Sequence, residues 1–302
     1  MKQIRRRTFM LMPGSDARKA AKAATLDVDA VVLDLEDSIP PASKTLARDT
    51  VRASLAGIDF GEREIMVRIN GYDTPFWKQD IEALGECHVD GVFIPKVEHV
   101  DQLGEMIEVL RALPSSSRTA AVFATIETAL GLIHVDTIAA SNKGLAGLFF
   151  GSGDYSVSTG IEISPDSLLY PRSRIVVAAT ANGLQPVDAA YFRDVKDGAA
   201  AQQDARLARG LGFSAKVLFH PNQIDPVNAV FTPTRTEIDR ARRIIDAYEV
   251  AAQAGTGTLL LDGEFIAVDI ALMAQRTLRR AGLLPENGHN PANAHEDAGE
   301  EK

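Results

Sequence analysis

The sequence predicts an α/β protein, a closed (β/α)8 barrel followed by a C-terminal helical arm, and three observations carry that expectation. Eight short β-rich runs recur, most of them nearly continuous in apolar residues, as parallel strands covered on both faces require. Helix-like segments lie between them, so strand and helix alternate about eight times, which favours a closed barrel over an open sheet. After the eighth run the pattern changes to longer helices and then to a polar tail.

The runs are Thr8 to Met12, Ala30 to Leu35, Glu64 to Ile69, Gly91 to Pro95, Ala121 to Ile126, Leu145 to Phe150, Gln185 to Ala189 and Ala215 to Phe219. Ser15 is a suitable N-cap for a first helix through ARKAAKAAT. A second follows Pro40-Pro41 and carries Leu46, Val51 and Leu55 on one stripe. Further helices are expected at Pro75 to Leu84, Val100 to Leu113, Leu132 to Ala140, Leu168 to Asn182 and Ala199 to Leu211. Thr234 and Glu237 form a capping box for a helix to about Ala254, GTGT breaks it, and another helix runs from about Ile270 to Ala281. The domains expected are a barrel over residues 1–232, an arm or lid over 233–284, and a disordered tail over 285–302.

Composition narrows the function classes. Hydrophobic residues at 45% and charged residues at 24% suit a soluble globular protein, and 302 residues suffice for one barrel with an appendage. The net charge of −9 argues against non-specific nucleic-acid binding over the whole surface. One cysteine, Cys87, allows neither an intrachain disulfide nor a thiolate metal cage and suits a cytoplasmic setting. Three arginines at the amino terminus precede an apolar run too short for a signal peptide or a membrane span.

The chemistry is sought at the strand ends, because in a barrel of parallel strands these gather on one face. Seven of the eight ends carry a titratable residue. The stretch from Ala121 to Asp154 delivers Glu127 and Asp154 from neighbouring strands, two carboxylates far apart in sequence that can converge on one cation. Mg2+ takes such a pair and leaves its other positions to water and substrate oxygens. Asp34, Glu36 and Asp37 follow the second strand, Arg68 and Asn70 the third, and Lys96 the fourth. Lys96 reads as a Schiff-base lysine or as a salt-bridged one, and Arg68 as a catalytic group or a partner of Asp34 or Glu36. His220, before a proline, stays outside the catalytic set, and the other histidines show no ligand spacing.

With these residues in place, the chain resembles the citrate lyase β-subunit family of the HpcH/HpaI aldolase/citrate lyase superfamily, with malyl-CoA and citramalyl-CoA lyases as relatives. The resemblance covers about residues 7 to 232 and rests on RTFMLMPG, VVLDLEDSI, VRING, VFIPKVE, TIETALG, FFGSGDYS and GFSAKVLFHPNQI in that order. It implies that Glu127 and Asp154 bind Mg2+, that Arg68 stabilises the oxygen on which charge develops, and that Gly151, Ser152 and Gly153 present backbone N–H groups to an oxo acid's carboxylate. Asp34, Glu36 and Asp37 are expected to orient Arg68 or a metal-bound water. Arg7 and Lys44 join the substrate-binding set as candidate phosphate contacts for coenzyme A, while Arg5 and Arg6 read as phosphate contacts or as a solvated basic face.

The implied function is Mg2+-dependent cleavage of a 3-hydroxy-di- or tricarboxyl-CoA thioester to an acyl-CoA and a 2-oxo acid, citryl-CoA being the nominal substrate. A metal-dependent aldolase on free 2-oxo-3-deoxy acids and a non-catalytic barrel subunit are the alternatives. The resemblance further implies a homotrimer or dimer of trimers, and no nucleic-acid or membrane partner. One departure stands out: where malyl-CoA lyase-like members carry Asp-Gly-x-Met-Ile-Asp, this chain reads Asp262-Gly263-Glu264-Phe265-Ile266-Ala267. Ala267 can act neither as acid nor as base, and Asp262 and Asp269 are expected to be displaced by about 7 Å per two-residue offset along an extended strand.

Overall fold

A computed structural model describes residues 6–141 and 144–284. It divides them into two compact units, residues 6–231 and the residues from Thr232 to 284. Arg5 and the expected disordered tail lie outside the described residues.

The first unit is a closed barrel of eight parallel strands in sequence order, with the last hydrogen-bonded to the first. The strands are β1 (Thr8–Pro13), β2 (Ala30–Asp34), β3 (Glu64–Arg68), β4 (Gly91–Ile94), β5 (Ala121–Ile126), β6 (Leu145–Phe150), β7 (Gln185–Asp188) and β8 (Ala215–Leu218). Around them run α1 (Ala17–Ala23), α2 (Lys44–Gly57), α3 (Trp77–Ala83), α4 (Val100–Arg111), α5 (Ala129–Ile133), α6 (Val135–Ala140), α7 (Ser152–Thr159), α8 (Pro165–Ala181), α9 (Gly198–Leu211) and α10 (Ile224–Phe231).

Three details differ from the sequence expectation. Asp16, not Ser15, caps α1, its side chain accepting from the N–H groups of Arg18 and Lys19. The helix expected over Leu132 to Ala140 is two helices meeting at His134, whose ring is bonded to the Glu98 carbonyl at 2.7 Å. Helices α7 and α10 were not foreseen, because SGDYSVST has no apolar stripe and IDPVNAVF carries a proline in its first turn.

Strand side chains alternate between the barrel interior and the helix layer. The interior row is aromatic and aliphatic: Phe9, Val32, Met66, Phe93, Phe123 and Phe149 belong to one buried cluster. Phe93 and Phe123 stack with centroids 4.8 Å apart and Phe9 meets both edge-on, so the barrel is a packed floor rather than a pore.

The second unit is an αα-hairpin. Helices α11 (Arg235–Gln253) and α12 (Val268–Arg280) bury Ala241, Ile244, Ala274 and Leu278 with Ile266, and the expected Thr234–Glu237 capping box opens α11. Between them β9 (Leu259–Leu261) and β10 (Glu264–Ile266) pair antiparallel around Asp262-Gly263, both at positive φ, 53° and 80°, as a two-residue hairpin turn requires. The segment is therefore no single extended strand: Asp262 sits in the turn and Asp269 in the first turn of α12, on elements separate from Ala267.

Candidate active site

The interior row continues upward from the aromatic floor. Two residues beyond Val32 comes Asp34, two beyond Met66 comes Arg68, and four beyond Phe123 comes Glu127, so the period of two turns all three toward the carboxyl-terminal mouth. There they line a cavity of about 470 Å3 together with Asp37, Gly151, Ser152, Gly153 and Asp154.

Arg68 is 8% exposed and is fixed by carboxylates. Its Nε and Nη2 donate to the two oxygens of Asp34 at 2.7 and 2.8 Å, a bidentate fork that holds the guanidinium plane. Asp34 also accepts the backbone N–H groups of Glu36 and Ser38 at 2.9 and 3.2 Å, so the same carboxylate shapes its loop and orients Arg68. Burial pushes the Asp34 carboxyl up, but the Arg68 guanidinium beside it outweighs this and holds it below the ordinary carboxylate range.

Glu36 lies 3.1 Å from Arg68 and 2.5 Å from the Lys96 ammonium, which reaches Asp37 at 3.4 Å. Burial pulls the Lys96 ammonium down, yet Glu36 and Asp37 hold it above its ordinary value. Of the two readings, the structure shows the salt-bridged one, with the ammonium paired to Glu36 and Asp37. Lys96 does a second job through its main chain: at a left-handed φ of 50°, its N–H donates to Glu127 Oε1 at 2.8 Å.

Glu127 is 1% exposed. Burial, then the nearby charges of Glu36 and Asp154, push its carboxyl up to about 8. Gly151 follows the last residue of β6, and a Cβ there would stand 2.2 Å from Glu127 Oε2, so the two strand ends approach closely only because position 151 is glycine. The stretch Gly151-Ser152-Gly153, expected to present backbone N–H groups, is the amino end of α7: Gly151 is its N-cap and Asp154 lies in its first turn. The first N–H groups of a helix have no partner within it and suit an anion.

Several expected residues lie elsewhere. Lys44 is not a phosphate contact: its ammonium is buried and donates to the carbonyls of Leu35 and Glu36, both at 2.7 Å, and to Asn70 Oδ1 at 2.6 Å, which uses all three of its donors. Arg7 precedes β1 and so stands at the amino-terminal face, opposite the mouth, paired with Asp29 at 2.7 Å. Arg6 is at that face too, bonded to Glu64 at the start of β3 at 2.5 Å. Asp188, at the end of β7, points into the helix layer, where Arg172 donates to it at 2.9 and 3.0 Å and the fully buried Lys216 ammonium is its partner. His220 caps the turn after β8 by accepting the Asn222 N–H at 3.1 Å.

Other groups had no legible signal. The Lys96 amide contributes through a backbone angle, and Asp80 steadies Asn70 by accepting its backbone N–H at 2.8 Å from inside a helix. The apolar side of the cavity comes from Met12, Phe149, Phe192 and Phe219, residues that the sequence presents as ordinary hydrophobics.

The donor set fits a hard divalent cation. Glu127 and Asp154 offer oxygen alone, and Glu127 Oε1 is oriented by an amide, as a ligating carboxylate requires. Among the described residues no cluster of three or more His, Cys, Asp or Glu is arranged to hold a metal.

Barrel and mouth together define an α/β barrel that gathers carboxylates and one arginine in a cavity at the carboxyl ends of its strands. The chain belongs to the HpcH/HpaI aldolase/citrate lyase family, whose profile matches residues 7–221. It is 34% identical over 282 residues to the citrate lyase subunit beta of Leuconostoc mesenteroides subsp. cremoris, covering 91% of this chain and 93% of that one. It is 34% identical over 277 residues to a (3S)-malyl-CoA thioesterase of Cereibacter sphaeroides, covering 91% and 94% respectively. The protein CitE of Mycobacterium tuberculosis, solved in complex with magnesium, acetoacetate and coenzyme A, superposes with a TM-score of 0.77 at 30% identity, over 93% of this chain and all 100% of that one. Among the described residues no helix is long and apolar enough to cross a membrane.

Proposed function

We propose that this enzyme is a Mg2+-dependent lyase that cleaves a 3-hydroxy-3-carboxyacyl-CoA thioester to an acyl-CoA and a 2-oxo acid. The observation that carries the reading is the pairing of Arg68, locked by Asp34, with Glu127 and Asp154 around one cavity. The magnesium in the complex of the Mycobacterium relative and the coenzyme A bound there support the choice of cation and thioester.

Glu127 and Asp154 would hold the cation, which when bound supplies Lewis-acid polarisation of the substrate's hydroxyl or oxo oxygen. The residues of the chain account for the rest. Arg68 is a fixed positive charge facing the cavity, so it stabilises the oxygen on which charge grows without reorganising at the moment of reaction. Asp34 holds the plane of that guanidinium, and Glu36, shared with Lys96, flanks it. The N–H groups at the start of α7, around Ser152 and Gly153, receive the substrate carboxylate. From the family resemblance we further propose residues 233–284 as an arm or lid and the assembly as a homotrimer or dimer of trimers.

The test is cleavage of citryl-CoA, malyl-CoA and citramalyl-CoA by the purified chain with and without Mg2+, following both products. Cleavage that needs Mg2+ and is lost in Glu127→Ala and Arg68→Lys is the expected result. No cleavage of any thioester by folded, Mg2+-loaded protein would sink the coenzyme A reading in favour of free 2-oxo-3-deoxy acids.

A further inference from the structure

The loop after β2 is held by a cation that does not line the cavity. Lys44, the first residue of α2, is 6% exposed, and its ammonium donates to the Leu35 and Glu36 carbonyls, each at 2.7 Å. Those carbonyls belong to the two peptide groups that flank the Glu36 Cα. A residue has only two soft backbone dihedrals, so pinning both peptide planes fixes the direction in which the Glu36 side chain leaves the chain.

The third donor of Lys44 goes to Asn70 Oδ1 at 2.6 Å, and that partner is itself fixed. Asn70 Nδ2 donates to the Leu35 carbonyl at 2.9 Å and to Asp80 at 2.5 Å, which uses both amide protons and turns Oδ1 toward Lys44. Asp80, buried on α3, also accepts from Arg48 Nε at 2.7 Å, one turn along α2 from Lys44. Two cations of one helix face thus anchor the loop and its neighbour after β3.

Glu36 needs such an anchor. Asp34 takes Nε and Nη2 of Arg68 in a fork locked by its own two hydrogen bonds. Glu36 is left with Arg68 Nη1, 3.1 Å from its Oε2, yet among the described residues no donor makes a hydrogen bond to that oxygen. Its Oε1 meets the Lys96 ammonium, which stands on a flexible four-carbon stem. Neither contact locks the carboxylate as the fork locks Asp34, so its place beside Arg68 comes from the backbone that Lys44 holds.

We propose that Lys44 is a positioning residue for the reaction: by fixing the backbone on both sides of Glu36 it sets the Glu36 carboxylate between Arg68 and Lys96. The inference rests on the lyase reading. The attraction between two charges falls with their separation, so a shift of this carboxylate changes how much of the Arg68 charge is left for the substrate oxygen. Lys44 has no donor left for a substrate phosphate, and its effect reaches the reaction only through Glu36.

The experiment measures kcat and KM for Mg2+-dependent cleavage of citryl-CoA, malyl-CoA and citramalyl-CoA by the native enzyme, Lys44→Met, Glu36→Gln and the double variant. Lys44→Met should lower kcat by about 10–100-fold, the cost typical of removing the support behind an active-site group, and leave KM for the thioester within about threefold. In the Glu36→Gln background the same substitution should cost less than about threefold more, because partners in one chain of contacts do not add. Lys44→Gln, whose amide can still donate to both carbonyls, should lose less kcat than Lys44→Met. Arg48→Met is the stability control: it breaks a buried ion pair of the same network without touching the loop, so it should lower the urea midpoint and leave kcat within about threefold. Should Lys44→Met fail to fold by circular dichroism, Lys44→Gln takes its place in the cycle with Glu36→Gln. A raised KM with kcat unchanged would make Lys44 a contact of the coenzyme and overturn the inference alone. So would losses that multiply in the double variant, or an equal loss of kcat in Arg48→Met. No cleavage of any thioester by the native enzyme overturns the lyase reading and the inference with it.

Discussion

Gly151 and Glu127 stand so close that a Cβ at position 151 would lie 2.2 Å from Glu127 Oε2 and 2.7 Å from Glu127 Cβ. The contact joins the ends of β5 and β6, the two strands that bring Glu127 and Asp154 to one cavity. Glu127 has little freedom to yield, because the Lys96 N–H holds its other oxygen at 2.8 Å.

Gly151→Ala should therefore displace the Glu127 carboxylate while leaving the barrel folded. Disturbing the support of a ligating group typically costs about 10–100-fold in metal affinity or activity, and that is the loss expected here. Titration calorimetry with Mg2+ and the cleavage rate at saturating Mg2+ measure it. Gly160→Ala, at a site where a Cβ would meet nothing within 4 Å but φ is 75°, controls for backbone strain. Equal Mg2+ affinity in native protein and Gly151→Ala would show that the close approach has no bearing on the cation.

A second prediction concerns the ion network behind β7 and β8. Asp204 binds Arg172 at 3.0 Å and Lys216 at 2.7 Å, and Lys216 is fully buried. Burial pushes the Asp204 carboxyl up, but the Lys216 and Arg172 charges outweigh it and hold the carboxyl below its ordinary value. A carboxylate so depressed contributes stability that is present above its unfolded pKa of about 4 and is lost as pH falls through the folded value. Asp204→Asn leaves two buried cations to share Asp188, so it should cost about 3 kcal/mol at pH 7. The gap between native and variant urea midpoints should narrow below about pH 4. Parallel pH profiles down to pH 3 would rule out this linkage.

The strands were legible because parallel strands buried on both faces leave apolar runs, and β5 and β6 fall on the expected residues, Ala121–Ile126 and Leu145–Phe150. The mouth was legible where a functional side chain continues the interior row, as Asp34, Arg68 and Glu127 do. It was not legible where a group acts through its backbone or through distant partners. Nothing in the sequence shows that Lys96 adopts a φ of 50°, or that Lys44 turns inward to Asn70. Arg7 lies inside the motif RTFMLMPG, which is why it joins the expected set, but a residue before a barrel strand stands at the far end from one after it. Phe192 lies outside any regular element, so periodicity could not mark it as a cavity wall.

The arm supplies a test independent of chemistry. Ala267 is the N-cap of α12, in extended backbone at φ −125° and ψ −177°, and makes no side-chain cap bond. The position before it, Ile266, is fully buried, and Ala271 four residues on is 2% exposed, so the entry of the chain into the helix is already fixed by packing. What α12 lacks is an acceptor for the N–H groups of its first turn, since alanine offers none. Ala267→Asp should supply it and stabilise the arm by about 1 kcal/mol, reduced somewhat by repulsion from Asp269 in the same turn. Ala267→Asn offers the same acceptor without the charge and should match or exceed it. Hydrogen exchange of the α12 amides is the direct readout, with slower exchange in both variants expected. Unchanged exchange in both would show that the first turn of α12 gains nothing from a cap. A gain with Asn alone would instead place the weight on the charge of Asp269.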